Sequence, residues 1–347
     1  MKNSFIGFCL SAVLGLAWPA AAQTYKVIDL GTLPGGNLSN ALGVNDQGEV
    51  VGLASNPSGF PIAFRWTKAG GMKALGTLGG ASSSAQSIND ANQIVGQADI
   101  NPAGFTDAFL WQKGKMTPLG SLGGQLSRAN AINYDPLTKT FTQIAGWSMV
   151  SDNSAYHAVI WDHTLNTTTD LGTLGGTNSW GLGNNCNGQV VGQSDTTVGG
   201  SADAFLWDPA RGMQDLGTLG GDISWANAVN CSGMVVGTSY LFLMTEQHAF
   251  LSTANGMLDL GTFGGTVSEA YSINKYGKVV GFARTSGDAD THAFVWTANQ
   301  GMKDLNNMIP ANSGWDLQSA NSISDSGKIA GAGYFNGAGH AFLLIPQ

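Results

Sequence analysis

The stretch "DLGTLGG" occupies Asp170–Gly176 and recurs unchanged at Asp215–Gly221. Variants of it read "DLGTLPGG" from Asp29, "ALGTLGG" from Ala74, "PLGSLGG" from Pro118, "DLGTFGG" from Asp259 and "DLNNMIP" from Asp304. Its leucines, Leu30, Leu75, Leu119, Leu171, Leu216, Leu260 and Leu305, are spaced 45, 44, 52, 45, 44 and 45 residues apart. Self-similarity at such a period marks a chain built from stacked supersecondary units. Its glycines read as architectural, because no helix and no lysine follow them as a phosphate-cradling loop requires.

Two further phrases keep the same beat. "VNDQGEVVG" (Val44–Gly52) is echoed as "INDANQIVG", "NNCNGQVVG", "VNCSGMVVG", "INKYGKVVG" and "ISDSGKIAG", and "HAFVW" (His292–Trp296) as "IAFRW", "DAFLW", "HAVIW", "HAFLS" and "HAFLL". The longer third period comes from extra residues between Asn133 and Gly146. Each unit reads as four short strands, "SxAxxIN", "xVVGxx", "HAFLW" and "GMxDL". Valine, isoleucine and aromatics fill them, and Gly, Asn, Asp and Ser punctuate them. No sustained helical periodicity appears.

Seven four-stranded units predict an all-β, seven-bladed β-propeller. The last unit stops after its third strand, "HAFLLIPQ", and an orphan strand with the fourth-strand pattern, Tyr25–Leu30, opens the chain. The N-terminal strand is therefore expected to complete the last blade and close the ring, leaving no edge unpaired. A β-solenoid would instead need capping units.

Bulk composition narrows the function. Of 347 residues, 15 are Lys or Arg and 23 Asp or Glu, a net charge of −8. That balance excludes a nucleic-acid footprint and docking on anionic lipid by charge. Lys2, an apolar run and Ala20-Ala21-Ala22 read as a secretory signal over residues 1–22, removed before Gln23. Residues 23–347 are then a single exported domain, secreted or periplasmic, with no membrane span and expected as a monomer.

The combination "HAFxW…GMxDLGTLGG" resembles the extracellular repeats of the HAF family, and the resemblance covers essentially the whole mature chain. It implies an exported bacterial repeat protein and carries over no catalytic residue. The triplet itself stands at His248–Phe250, His292–Phe294 and His340–Phe342, whereas Ile62, Asp107 and Asp203 replace its histidine in other units.

Catalytic chemistry finds no support. His157, His248, His292 and His340 hold one equivalent position in different units, so they diverge around a ring rather than converge on a metal. A shared hydrogen-bonding role at a strand entry fits them and the aspartates that replace them. No G-x-S-x-G elbow and no facing carboxylate pair stand out, and no cofactor is implied. Cys186 and Cys231 fall one repeat apart in neighbouring turns, which leaves both a disulfide and two free thiols open.

Function is sought where the copies differ while the frame is held. The residue before the small residue of the first strand reads Asn40, Ser84, Arg128, Trp180, Trp225, Glu269 and Ser319 through the units. Two positions on stand Leu42, Gln86, Asn130, Leu182, Asn227, Tyr271 and Asn321. With the apolar loop Thr238–Gln247, these positions predict an aromatic crescent of Trp180, Trp225, Tyr240, Phe242 and Tyr271 beside Arg128, Glu269 and Asn40. Clustered exposed aromatics mark binding surfaces. The other reading packs the tryptophans between blades. Trp66, Trp111, Trp161, Trp207 and Trp296, which recur in phase, belong to that core. The expectation is a recognition module for an extracellular glycan or protein on the face of the crossing loops. The alternative is a polysaccharide lyase or hydrolase at the channel mouth.

Overall fold

Alternating burial makes the strands, and the degree of burial falls from the first strand of a unit to the last. In the fourth unit every second residue of Ser179–Gly183 is buried, whereas the last strand of the third unit, Thr167–Asp170, is exposed throughout. The computed structural model describes residues 24–101, 104–133, 143–163, 165–196, 201–253 and 256–347. The expected leader, residues 1–22, and most of the third unit's insertion lie outside the described residues.

Hydrogen bonding groups the strands into seven antiparallel four-strand runs. They are Ser39–Val44, Val50–Ser55, Pro61–Thr67 and Gly71–Gly76; Ser83–Ile88, Ile94–Asp99, Thr106–Gln112 and Lys115–Pro118; Gly123–Ile132, Gln143–Val150, Tyr156–Asp162 and Thr167–Asp170; Gly175–Asn184, Val190–Thr196, Ala202–Asp208 and Gly212–Asp215; Gly220–Val229, Val235–Leu241, Gln247–Thr253 and Gly256–Asp259; Gly264–Ile273, Val279–Thr285, Thr291–Thr297 and Gly301–Asp304; and Trp315–Ile323, Ile329–Phe335, Ala338–Pro346 and Tyr25–Asp29. The N-terminal strand pairs antiparallel with the C-terminal one, from Tyr25 opposite Pro346 to Asp29 opposite Phe342. The strands do not form one continuous closed sheet. Single parallel bridges such as Leu126–Thr106 and Ala202–Ile223 join some runs into sheets of eight and twelve strands, and the first and seventh runs stay separate. Among the described residues there is no α-helix.

The apolar cores lie between sheets. Val51 and Ala63 of the first sheet pack with Ala85, Ile88 and Phe109 of the second, and each successive pair of sheets repeats the arrangement. A further cluster joins Ala330, Ala341 and Leu343 of the seventh sheet to Val50, Phe64 and Trp66 of the first. The in-phase tryptophans belong to these clusters or pack against them.

Every first strand carries a β-bulge, at Leu42, Gln86, Asn130, Leu182, Asn227, Tyr271 and Asn321. A bulge gives one strand an extra residue and re-aims its side chain. Here all seven line one central cavity of about 230 Å³. Asn130 Nδ2 donates to Gly181 O at 2.8 Å, Asn227 to Ala270 O at 2.9 Å and Asn321 to Ala41 O at 2.7 Å, the last from the seventh unit to the first.

A second amide network runs below it, at the turn after each first strand. Asn230 Oδ1 accepts the amides of Ser232 and Met234, closing its own turn, and Asn230 Nδ2 donates to Asn274 O of the next unit. The same relay links Asn45 to Asn89, Asn89 to Asn133, Asn133 to Asn185, Asn185 to Asn230 and Asn274 to Ser324, at 2.9–3.3 Å. Ser326 N and Lys328 Nζ then bond Asp46 of the first unit. Asn230 is 5% exposed, so removing its amide strands buried donors and acceptors. Asn230→Ala is expected to lower the unfolding free energy by about 3 kcal/mol in urea titrations. A loss under about 1 kcal/mol would mean that the relay adds little to the fold.

Candidate functional site

The crossing phrase is consumed by the scaffold. In the fourth crossing Asp170 Oδ1 accepts the Gly172 amide at 2.8 Å, and Gly172 sits at φ +73°. The Gly172 carbonyl accepts Ser179 Oγ at 2.6 Å, and Ser179 Oγ in turn accepts the Ala158 amide of the preceding unit at 2.8 Å. Thr173 Oγ1 accepts from Gly175 N and donates to Gly176 O. A Cβ on Gly176 would stand 2.5 Å from Asp195 Cβ, so only glycine fits there. The aspartate, threonine and serine side chains of this crossing are therefore bonded within the scaffold.

The same holds for the repeated histidines. His157, His248, His292 and His340 each bond, through Nδ1, the aspartate of their own unit's crossing: Asp170, Asp259, Asp304 and Asp29, at 2.7–2.9 Å. The bond to Asp259 holds His248 above the ordinary imidazole pKa. Where the histidine is missing, its partner changes in step in two units: Ile62 goes with Ala74, and Asp107 goes with Pro118. The fourth unit breaks this pairing, because Asp203 faces Asp215. Burial first, then Asp215 and Asp222, push the Asp203 carboxyl up to about 6.

What the scaffold leaves uncommitted lies along the crossing-side rim of the central cavity. Two groups there are aromatic. Trp147 meets Tyr156 edge-on at 5.3 Å, and Tyr156 stacks on Trp180 of the next unit at 6.1 Å and 28°. Trp225 meets Tyr240 at 6.3 Å. All five are only partly buried, and none belongs to an inter-sheet core cluster. The expected single crescent is thus divided. Tyr271 turns into the central cavity against Phe282, its hydroxyl on Glu269, and Phe242 stands apart on a 3₁₀ turn, 75% exposed. Trp147 and Tyr156 escaped the sequence comparison because they lie on the second and third strands. For Trp147 the signal is the same kind of departure, since other units have Leu53, Gln97, Gln193, Thr238, Phe282 or Ala332 at that position.

The charged rim residues do not meet. Glu269 accepts Gln247 Nε2 at 2.6 Å and the Tyr271 hydroxyl, and burial holds it above the ordinary carboxylate range. Arg128 donates from Nη2 to Gln86 Oε1 at 2.8 Å, with Nε buried and unpartnered, and burial draws its pKa down. It borders a cavity of about 320 Å³ at the first and second units. Asn40 Oδ1 accepts Asn321 Nδ2 at 2.9 Å and so belongs to the scaffold network.

At the opposite end the cavity opens to about 620 Å³, walled by the turn residues. Cys186 and Cys231 are joined there as a disulfide between neighbouring units, Cα atoms 5.5 Å apart. Among the described residues no group of three His, Cys, Asp or Glu side chains could hold a metal ion.

No family model matches the sequence, and no curated protein matches it. Solved structures do. The β-propeller domain of the Trilobed protease from Pyrococcus furiosus superposes with a TM-score of 0.58 at 7% identity, covering 90% of this chain and 94% of that one. Oligogalacturonate lyase from Vibrio parahaemolyticus gives 0.57 at 8% identity, covering 92% and 93%. TolB from Acinetobacter baumannii gives 0.47 at 15% identity, and this chain spans 63% of its length. At these identities the likeness is one of fold, and the fold is a β-propeller.

Two outcomes follow from these pairs. A carboxyl raised to about 6 binds its proton in the folded chain before the unfolded one does, so its contribution to stability is present at low pH and lost as pH rises through 6. Asp203→Asn is therefore expected to raise the thermal midpoint at pH 7 by about 1–3 °C and to leave it unchanged at pH 4. An equal effect at both pH values would refute the raised Asp203 carboxyl. Reduction, or the Cys186→Ser/Cys231→Ser pair, is expected to cost about 4 kcal/mol through freedom regained by the unfolded 45-residue loop. The intact oxidised chain should weigh two hydrogens less than the reduced one.

Proposed function

We propose that this chain is an exported, seven-bladed β-propeller of the HAF-repeat kind. In this reading the ring is closed by the N-terminal strand, and the crossing-side rim recognises an extracellular glycan or protein. Support for the closed ring comes from the Asn321–Ala41 bond, the core shared by the seventh and first sheets, and the pairing of the two terminal strands. The disulfide and the leader-like first 22 residues agree with an extracytoplasmic site of action.

One observation carries the recognition reading. Trp147, Tyr156, Trp180, Trp225 and Tyr240 stay partly exposed and outside every inter-sheet core, on the rim where the copies diverge. Large rings leave a core only against a cost in apolar surface, and a binding surface compensates for it. Flat partly exposed rings flanked by Gln, Ser and Arg suit the apolar faces of sugar rings. The rim favours binding over catalysis, because Arg128 and Glu269 are bonded to separate neighbours.

The test is binding of residues 23–347 to a panel of polysaccharides and envelope components, beside a folded Trp180→Ala/Trp225→Ala variant. Reducing ends and unsaturated products are followed in the same wells. Binding lost by at least about tenfold in the variant, without product, is the expected result. Product formation would move the assignment to a polysaccharide-active enzyme.

A further inference from the structure

Arg128 is a charged side chain on the rim that the scaffold leaves without an anion. A guanidinium offers five donors in a planar fork. Here Nη2 donates to Gln86, and Nε is buried without a partner. Among the described residues no carboxylate lies within ion-pair distance of it. Asp99, which shares the cavity, already accepts Ser82 N and Thr106 Oγ1. The contrast with Arg65 is direct, since Arg65 grips Glu49 through both Nε and Nη2. A partly buried cation without its anion carries a desolvation cost that an anionic ligand would offset.

The surroundings define that ligand. The cavity of about 320 Å³ has Ser82, Ser84, Gln86 and Gln97 as hydroxyl and amide partners and Leu42 and Leu53 as an apolar side. That volume is at the small end for a ligand pocket, room for one ring rather than an extended chain. Arg128 stands opposite Trp147 across its strand pair, and Trp147 begins the aromatic group that continues through Tyr156 to Trp180. The cation and the ring platform thus come from one rung of the third unit.

We propose that Arg128 and this cavity form a carboxylate subsite, and that the chain recognises an acidic polysaccharide. One uronic acid ring enters the cavity with its carboxylate on the Arg128 fork, and neighbouring sugars run over the Trp147–Tyr156–Trp180 rings. A planar two-oxygen anion matches the fork in a way that no neutral hydroxyl can. The proposal rests on the recognition reading above and narrows it to charged glycans.

The experiment compares polygalacturonate and polymannuronate with the same polymers after reduction of their carboxyls to neutral hydroxymethyl groups. Binding to residues 23–347 is read by titration calorimetry. The wild type is expected to bind at least one native polymer about tenfold more tightly than its reduced form. Arg128→Gln, checked for an unchanged thermal midpoint, should bring the native polymer down to the level of the reduced one. Arg128→Lys should restore part of the difference, and Trp180→Ala should weaken both forms alike. Equal binding of native and reduced polymers by the wild type would overturn the carboxylate subsite and leave glycan recognition standing. A preference for the native polymer that survives in Arg128→Gln would overturn the role of Arg128. Absence of binding to every polymer would overturn the proposal, and binding of other panel members would then decide the wider reading.

Discussion

The fold depends on one small group, the side-chain amide of the asparagine that ends each first strand. Its oxygen caps its own turn, and its nitrogen reaches the backbone carbonyl of the equivalent residue one unit on. Asn45, Asn89, Asn185, Asn230 and Asn274 are almost wholly buried, and Asn133 is partly buried. In that setting an unmet amide costs far more than a met one contributes, so each unit holds its neighbour in register through the penalty for slipping. The linked residues stand 44 to 52 positions apart, and each unit presents the same carbonyl at the same place to the amide of the unit before it. Where the seventh unit replaces asparagine with Ser324, Ser326 and Lys328 take up the link to Asp46.

Polar saturation separates scaffold from site. The crossing phrase, the histidines and the first-strand serines are all spent on one another. Histidine on the third strand, aspartate at the crossing and the glycine amide beyond it form one local unit, so histidine and aspartate depart together in the first and second units. The fourth unit keeps the aspartate and places Asp203 opposite it. It thereby exchanges an attractive pair for a repulsive one.

Against this satisfied frame, the rim stands out by what it leaves unspent: Arg128 bonded to an amide in place of a carboxylate, Glu269 with amide and hydroxyl partners in place of a cation, and aromatic rings outside the cores. A propeller suits such an arrangement, because the inner strands tie each unit to the next and the crossing-side residues are free to vary without disturbing the inter-sheet cores. The fold does not choose among ligands; the side chains on the rim do.

Much was legible in the sequence alone: the repeat, the strand identities, the N-terminal strand as partner of the last, and the in-phase tryptophans as core. Each of these is a local pattern or a matter of counting. The rim positions were legible too, as the places where copies part company. The tertiary structure alone decided which rim residues meet. A strand sends successive side chains to opposite neighbours, and the bulge in each first strand moves one of them again, into the central cavity. Trp180 therefore turns to Tyr156, Trp225 to Tyr240, and Tyr271 inward, although all three occupy equivalent stretches. The union of Cys186 with Cys231 and the Arg128 guanidinium's lack of a carboxylate partner were likewise beyond the sequence, because both depend on distances across a unit boundary that no linear spacing contains.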